Sequence, residues 1–243
     1  MFLRERARQL EYCDRQDLPL GEVAANYQQL ARFNRLALLA DPFTRLLVRW
    51  LGRERVARLT LLDLGAGDGS LAEQLESWAR ARGWDWQVTS LDMNWRALGL
   101  RSRPRRVAAS VCALPFPDAS FDVVIASQMA HHLTETQAVQ HFREAWRVTR
   151  ETLFLTDTHR NAGALCFVWL LLRTLRVTPH FFSDGLLSVR RGWRLKEWRA
   201  LAAQAEIPSA RISLYYGSRV FLQARKGLAE NARTKDPIAR PKP

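Results

Sequence analysis

From Leu59 onward, short unbroken apolar runs alternate with stretches whose apolar positions recur every three or four residues. The runs read as buried strands and the stretches as amphipathic helices. "LTLLDL" stops at glycines and predicts a first strand; "SLAEQLESWARARG" predicts the helix behind it, closed at Gly83. "WQVTSLD" is a second strand, followed by a short helix in "NWRALGLR". "RRVAASV" predicts a short third strand, "FDVVIAS" a fourth and "TLFLTDT" a fifth. Between the last two lies the helix "TETQAVQHFREAWRVTR", with Thr134 as its N-cap. Such alternation implies a parallel sheet with helices on both faces.

The two ends depart from that rhythm. Residues 1–58 read as helices broken at Asp41–Pro42, and predict an N-terminal helical cap or lid. The α/β pattern fills 59–226. It is interrupted at about 160–192 by an apolar helical stretch and then a turn-rich loop, "VTPHFFSDGLLSVRRG", expected to be a lid insertion. "RLKEWRALAAQAEI" resumes as a helix, and "ARISLYYG" and "SRVFLQARK" predict two antiparallel closing strands. The polar, Pro-bearing tail 227–243 predicts disorder.

A chain of 243 residues can build one large domain with a proper core. Its net charge of +13, carried by 33 Arg and only 4 Lys, raises nucleic acid, acidic lipid headgroups or an anionic substrate as partners. The arginines are spread along the chain, never more than two in a row, so they mark no single basic segment. The odd number of cysteines, Cys13, Cys112 and Cys166, argues against a disulfide framework and fits a reducing cytoplasm. The charged N-terminus does not read as a signal peptide. The longest apolar run, Ala162–Leu172, is short of the ~20 residues of a membrane span and is expected to be a buried or interfacial helix. No element carries acids with His or Cys at ligand spacing, so no metal is expected. Monomer and homodimer stay equally open.

The chemistry starts at "LLDLGAGDGS", a strand, a glycine loop and a helix. Gly65, Gly67 and Gly69 let a ligand approach the backbone. Two readings compete. A dinucleotide fold wants G-x-G-x-x-G, and here the third glycine comes one residue early. S-adenosylmethionine (SAM) brings an ammonium and a ribose instead; Asp63 suits the first and Asp92, at the end of the second strand, the other. The Asp92 spacing alone serves either ligand.

With "LLDLGAGDG", "SLDMN", "ALPFPDASFDVVIAS" and "HHL" together, the chain resembles the class I SAM-dependent methyltransferases, in the small-molecule (type 11/25-like) branch, over roughly residues 55–160. The resemblance implies an α/β, Rossmann-like, doubly wound sheet of about seven strands with a reversed last strand and a helical cap. It implies SAM as methyl donor and S-adenosylhomocysteine as product. It places Gly65, Ala66, Gly67 and Gly69 along the methionine part, Asp63 at the ammonium, Asp92 on both ribose hydroxyls and Met93 on the adenine face. Ser127 also belongs to the cofactor wall. Ser110 stands where the family usually has an adenine-binding Asp, and Val111 or Cys112 would read the ring through a backbone N–H.

An acceptor that carries a proton needs a base, and His is the usual one near neutral pH. His132, and next His131, lie beyond the fourth strand, where the acceptor is expected; His141 reads as a surface residue. Asp157, His159 and Arg160 follow the fifth strand and are candidate substrate contacts. Tyr27 and Asn34 in the N-terminal helices, and His180, Phe181, Phe182 and Arg190 in the insertion, are candidate lid contacts. These residues point to methylation of a small-molecule oxygen, on a phenol, quinol or polyketide-like natural product. The alternatives are C-methylation of an activated ring or enol, an RNA or tRNA methyltransferase, and a non-enzymatic SAM-binding scaffold. "SQMAHH" stands where base-amine methyltransferases carry Asn/Asp-Pro-Pro-aromatic, which weakens the RNA reading.

Overall fold

A computed structural model describes residues 3–226, apart from 16, 39, 53, 54 and 209; the tail expected to be disordered lies outside the described residues. The elements run α1 (Leu20–Leu36), α2 (Leu47–Leu51), β1 (Arg58–Leu64), α3 (Ser70–Arg80), β2 (Asp85–Asp92), α4 (Trp95–Leu98), β3 (Arg106–Ala108) and β4 (Phe121–Ser127). They continue as α5 (Glu135–Val148), β5 (Thr149–Thr158), α6 (Ala162–Leu175), α7 (Pro179–Arg191), α8 (Leu195–Gln204), β6 (Arg211–Tyr215) and β7 (Arg219–Arg225).

The seven strands form one sheet in the order β3-β2-β1-β4-β5-β7-β6. β1 to β5 are parallel, and β7 runs antiparallel to both its neighbours, β5 and β6. This is the Rossmann-like α/β sheet with its reversed last strand. The side chains of β1 explain the two layers, because successive residues on a strand face opposite sides. Leu62 and Leu64 pack with Val124, Leu153 and Leu155 against Phe142 and Ala145 of α5 and Trp198 and Leu201 of α8. Leu61 packs with Val88, Val123, Ile125 and Phe154 on the other face, against Phe43, Leu47, Ala72 and Leu75. Each such buried aliphatic side chain is worth about 1.5–3 kcal/mol relative to exposure, so the sheet centre is a stiff platform.

One local expectation holds in detail, and a second is displaced by two residues, since the C-cap of α3 is Ala81 and not Gly83. Thr134 caps α5 in a capping box with Gln137. Gly83 turns the chain out after α3 at φ +74°, its N–H donating to Arg80 O.

Three others do not hold. Residues 6–11 form no regular element: Arg6 is spent on the carbonyls of His131, Leu133 and Arg191, and Ala7 N donates to Arg190 O. The expected turn-rich loop is α7, which starts with Pro179 at its N-terminus. Its Gly185 serves packing, because a Cβ there would stand 2.7 Å from Leu172 Cδ1 of α6. His141 is fully buried, on the same stripe of α5 as Ala138, Phe142 and Ala145, and burial pushes its imidazole down to about 4.

Candidate active site

The carboxyl ends of β1, β2 and β4 share one edge of the sheet, and the chain order reverses between β1 and β4. Crevices form at such switch points. A cavity of about 750 Å³ lies there, walled by the loops after β1, β2 and β4 and roofed by α1, α6 and α7. Gly65 and Ala66 tie the first loop to β2 by donating to Leu91 O at 2.8 and 3.0 Å. Gly65 has φ +70°, and a Cβ on it would overlap Met129. Gly67 has φ +57°, and its Cβ would stand 2.5 Å from the Tyr27 ring. Only glycine fits both.

Asp92 is fixed by two backbone donors, Gly67 N to Oδ2 and Asn94 N to Oδ1, each 2.8 Å. Burial still raises its carboxyl above the usual range, against those two bonds. Asp63, at the end of β1, is buried, and its Oδ2 has no partner. Burial, and next the neighbouring Asp92 charge, push it up to about 8, with Arg103 opposing. Asn34 Oδ1 and Ser127 Oγ line the same cavity and are likewise buried without partners. Asp68, which the sequence reading passed over, accepts from Ser70 N at 3.0 Å and from Arg101 Nε at 2.7 Å. It therefore caps the start of α3 with the protein's own carboxylate. That side chain occupies the helix start where a dinucleotide would seat its pyrophosphate, which counts against the dinucleotide reading.

Opposite this loop, the turn after β4 carries the two histidines. His131 is buried between carboxylates: its Nδ1 is 2.7 Å from Asp157 Oδ1, and its Nε2 is 3.5 Å from Glu11 Oε1. His131 N also donates to Asp157 Oδ2 at 2.8 Å. Burial would raise Asp157, but His131 and the backbone donors outweigh it and hold it below the usual range. His132 lines the cavity, its ring 4.2 Å from that of His131 and its Nδ1 3.0 Å from Asp14 Oδ1. Burial would raise Asp14 too, but His132 and Arg191 hold it well below the usual range. Arg191 bridges Asp14 at 2.9 Å and Glu11 at 3.3 Å. Burial lifts Glu11 to about 7. Glu11, His131 and His132 thus bring donor atoms within 4.8 Å of one another from distant parts of the chain, although no single element has ligand spacing. Arg191 already supplies a positive charge to that group.

Residues 62–154 match the family described as "Methyltransferase domain". That segment carries the glycine loop, Asp63, Asp92 and the histidine turn. The match takes in less than half of the chain, and it identifies residues 62–154 as a methyltransferase domain. Among solved structures, a SAM-dependent methyltransferase from Aquifex aeolicus is similar over 86% of this chain and 99% of its own, at TM-score 0.57 and 17% identity. The plantazolicin methyltransferase BpumL, solved with a triazolic desmethylPZN analog and SAH, is similar over 85% and 97%, at TM-score 0.62 and 10% identity. Human N-acetylserotonin methyltransferase, solved with SAM, is similar over 86% and 57%, at TM-score 0.56 and 14% identity. At these identities the likeness carries the fold. No curated protein matches the chain in sequence.

The methyltransferase's own residues fit a cationic donor such as SAM, which supplies a methyl group from its sulfonium when bound. Asp63 Oδ2 is a buried acceptor without a donor, the arrangement an ammonium would complete. With its carboxyl near 8, Asp63 holds a proton at neutral pH, and a neighbouring ammonium favours the carboxylate. SAM binding is therefore expected to release close to one proton at neutral pH, and to strengthen as pH rises toward about 8. Titration calorimetry in two buffers of different ionisation heat measures the release. Asp63→Asn should abolish it, and no proton exchange in the parent protein would refute the assignment.

The structure places the other expected site residues unevenly. Ala66, Met93, Ser110, Val111 and Cys112 line the cavity. Cys112 N is spent on Ser110 Oγ at 3.2 Å, so the expected backbone contact to adenine narrows to Val111. Gly69 lies behind the loop, against Arg103 and Ser90, and only starts α3. Tyr27, Asn34 and Phe181 line the same cavity. Asp157, His159, Arg160, His180, Phe182 and Arg190 do not. Asp157 is wholly buried as the partner of His131. His159 pairs with Asn161, the N-cap of α6. Arg160 is buried on Gly192 O and Glu197. His180 stacks on Tyr12 beside a shallow surface hollow. Phe182 packs within the α6–α7 cluster. The backbone of Arg190 holds Ala7, in the N-terminal segment. Sequence reasoning missed Glu11, Asp14 and Arg191, which no local pattern relates to the histidines.

Proposed function

We propose that this methyltransferase methylates an oxygen of a small, largely apolar acceptor of the phenol or quinol type. What supports the reading is one shared cavity. The glycine loop and Asp92 form one side, the histidine turn the other, and Leu30, Phe33, Val168, Leu172 and Phe181 the wall between. That volume must take donor and acceptor together, so the acceptor is small. Asp14 is ionised and can only accept, so His132 carries its proton on Nδ1. Nε2 is then the ring's proton acceptor, suited to a phenolic O–H. The apolar wall excludes water and holds the acceptor in line with the donor side. The lining disfavours an RNA acceptor, because the acids Glu11, Asp14, Asp63, Asp68 and Asp92 outnumber the arginines Arg15 and Arg96 in it.

The test is incubation with SAM and a panel of phenols, quinols and a structured RNA, read by product mass and NMR. An O-methyl ether from a phenol or quinol is expected, with no methylated RNA. Methyl transfer to RNA alone would overturn the reading, and a methyl on ring carbon would replace O- by C-methylation.

A further inference from the structure

Of the helices that roof the cavity, α6 has an apolar outer face, and α1 ends in exposed leucines. α6 turns Val168 and Leu172 inward and leaves Phe167, Trp169 and Leu170 exposed, Leu170 by 59%. α1 turns Tyr27 and Leu30 inward, and its end exposes Leu36 and Leu38. The turn between β6 and β7 joins the two. Asn161 Nδ2, at the start of α6, donates to Gly217 O at 2.9 Å, and Arg219 Nη2 donates to Ala37 O at 3.2 Å. Tyr216, in that turn, is 73% exposed. The exposed apolar side chains of α1, α6 and the turn therefore belong to one end of the molecule.

Basic charge prevails on this end: the nearby acid Asp41 is largely buried, accepts from Tyr215 Oη at 3.1 Å and is paired with Arg45 at 2.6 Å. No Asp or Glu occurs from Val23 to Ala40, nor from Thr158 to Ser183. Arg32, Arg35, Arg173 and Arg176 are all exposed there. Arg173 lies over the Trp169 ring, 5.9 Å from its centroid. Trp, Phe and Leu on one face with arginines beside them is the composition of a helix that lies in a membrane interface. α6 has 14 residues, and no helix among the described residues is long and apolar enough to cross a membrane.

We propose that this roof docks on the surface of an anionic lipid bilayer, with α6 in the interface plane. Phe167, Trp169 and Leu170 enter the headgroup–acyl boundary, and the four arginines meet lipid phosphates. A second copy of the chain is a poorer occupant, because a two-fold contact would set the same uncompensated arginines against each other. Nucleic acid would engage the arginines and leave the leucines in water. The net charge of +13, which the cavity does not use, finds its use here. The docking stands whatever the acceptor is; an apolar acceptor would gain a short path, since the cavity lies directly under α6.

The experiment is co-sedimentation of the full chain with vesicles of phosphatidylcholine alone and with added phosphatidylglycerol. Sedimentation with the anionic vesicles only, weakening as salt rises, is expected. Arg35→Gln and Arg173→Gln should each lower the partition about fivefold at low salt. Trp169→Ser with Leu170→Ser should abolish it while SAM affinity, read by calorimetry, stays unchanged, because neither side chain lines the cavity. Wild-type protein left in the supernatant would overturn the proposal. So would equal sedimentation of the Trp169→Ser/Leu170→Ser variant, or a variant that instead converts a dimer to a monomer by light scattering.

Discussion

Alanine in place of Asp92 is expected to weaken SAM binding by roughly a hundredfold or more, because hydrogen bonds to a charged acceptor are worth ~1.5–3 kcal/mol each. The resemblance gives this carboxylate two ribose hydroxyls, and the structure shows what else would be lost. Gly67 N and Asn94 N both donate to it, so alanine leaves two loop donors unanswered as well. This side chain and Leu91 O tie the glycine loop to the end of β2. Asp92→Asn is the sharper control. It keeps the shape and one acceptor oxygen, and should lose less affinity than alanine. Calorimetric titration with SAM measures both; an alanine variant that binds like the parent would remove Asp92 from the cofactor site.

The second large effect falls on turnover. His132→Ala is expected to lower kcat by roughly 10²–10⁴-fold, the span of general base catalysis, with SAM affinity little changed. His131 should answer differently. It sits between the buried Asp157 and Glu11, and removing it strands the Asp157 charge, at a cost of about 3–5 kcal/mol in stability. His131→Ala is thus a folding lesion that thermal melting would register, whereas His132→Ala should melt like the parent. Equal turnover in His132→Ala and the parent would show that alignment alone drives the transfer, and would take the proton-acceptor role from this ring.

The two halves of the site were unequally visible in the sequence. The cofactor half is local: Asp63, Gly65 and Gly67 sit on one strand and its loop, and Asp92 ends the next strand. Periodicity found both strands, so the residues at their ends followed. The half proposed for the acceptor is assembled by the roof and the N-terminal segment, where periodicity misled. Ser183-Asp184-Gly185 has turn composition, yet Gly185 is a helical residue that lets α6 approach, and Asp184 is buried, accepting from Tyr12 N and Cys13 N. His141 was read from its charged neighbours Arg143 and Glu144, when its spacing from Ala138 and Ala145 already put it on the buried stripe of α5. Asp157, His159 and Arg160 do stand at a strand's carboxyl end, but each is drawn into bonds with the surrounding protein before it can reach the cavity.

The contacts of the N-terminal segment also set an order of assembly. Arg6 closes on His131, Leu133 and Arg191, and Arg191 closes in turn on Glu11 and Asp14. The pair Glu11–Arg191 is 180 residues apart in the chain. Closing so long a loop costs entropy that must be met before the contact returns anything. On a ribosome, where domains emerge N-terminus first, the N-terminal segment is made first and finds its partner only once α7 has emerged. Until α7 appears, Glu11, Asp14 and the histidine turn have no Arg191 to join them. Strands β1 to β5 and the glycine loop are thus made before α7, on a nascent chain in which the histidine turn and the N-terminal segment are not yet joined.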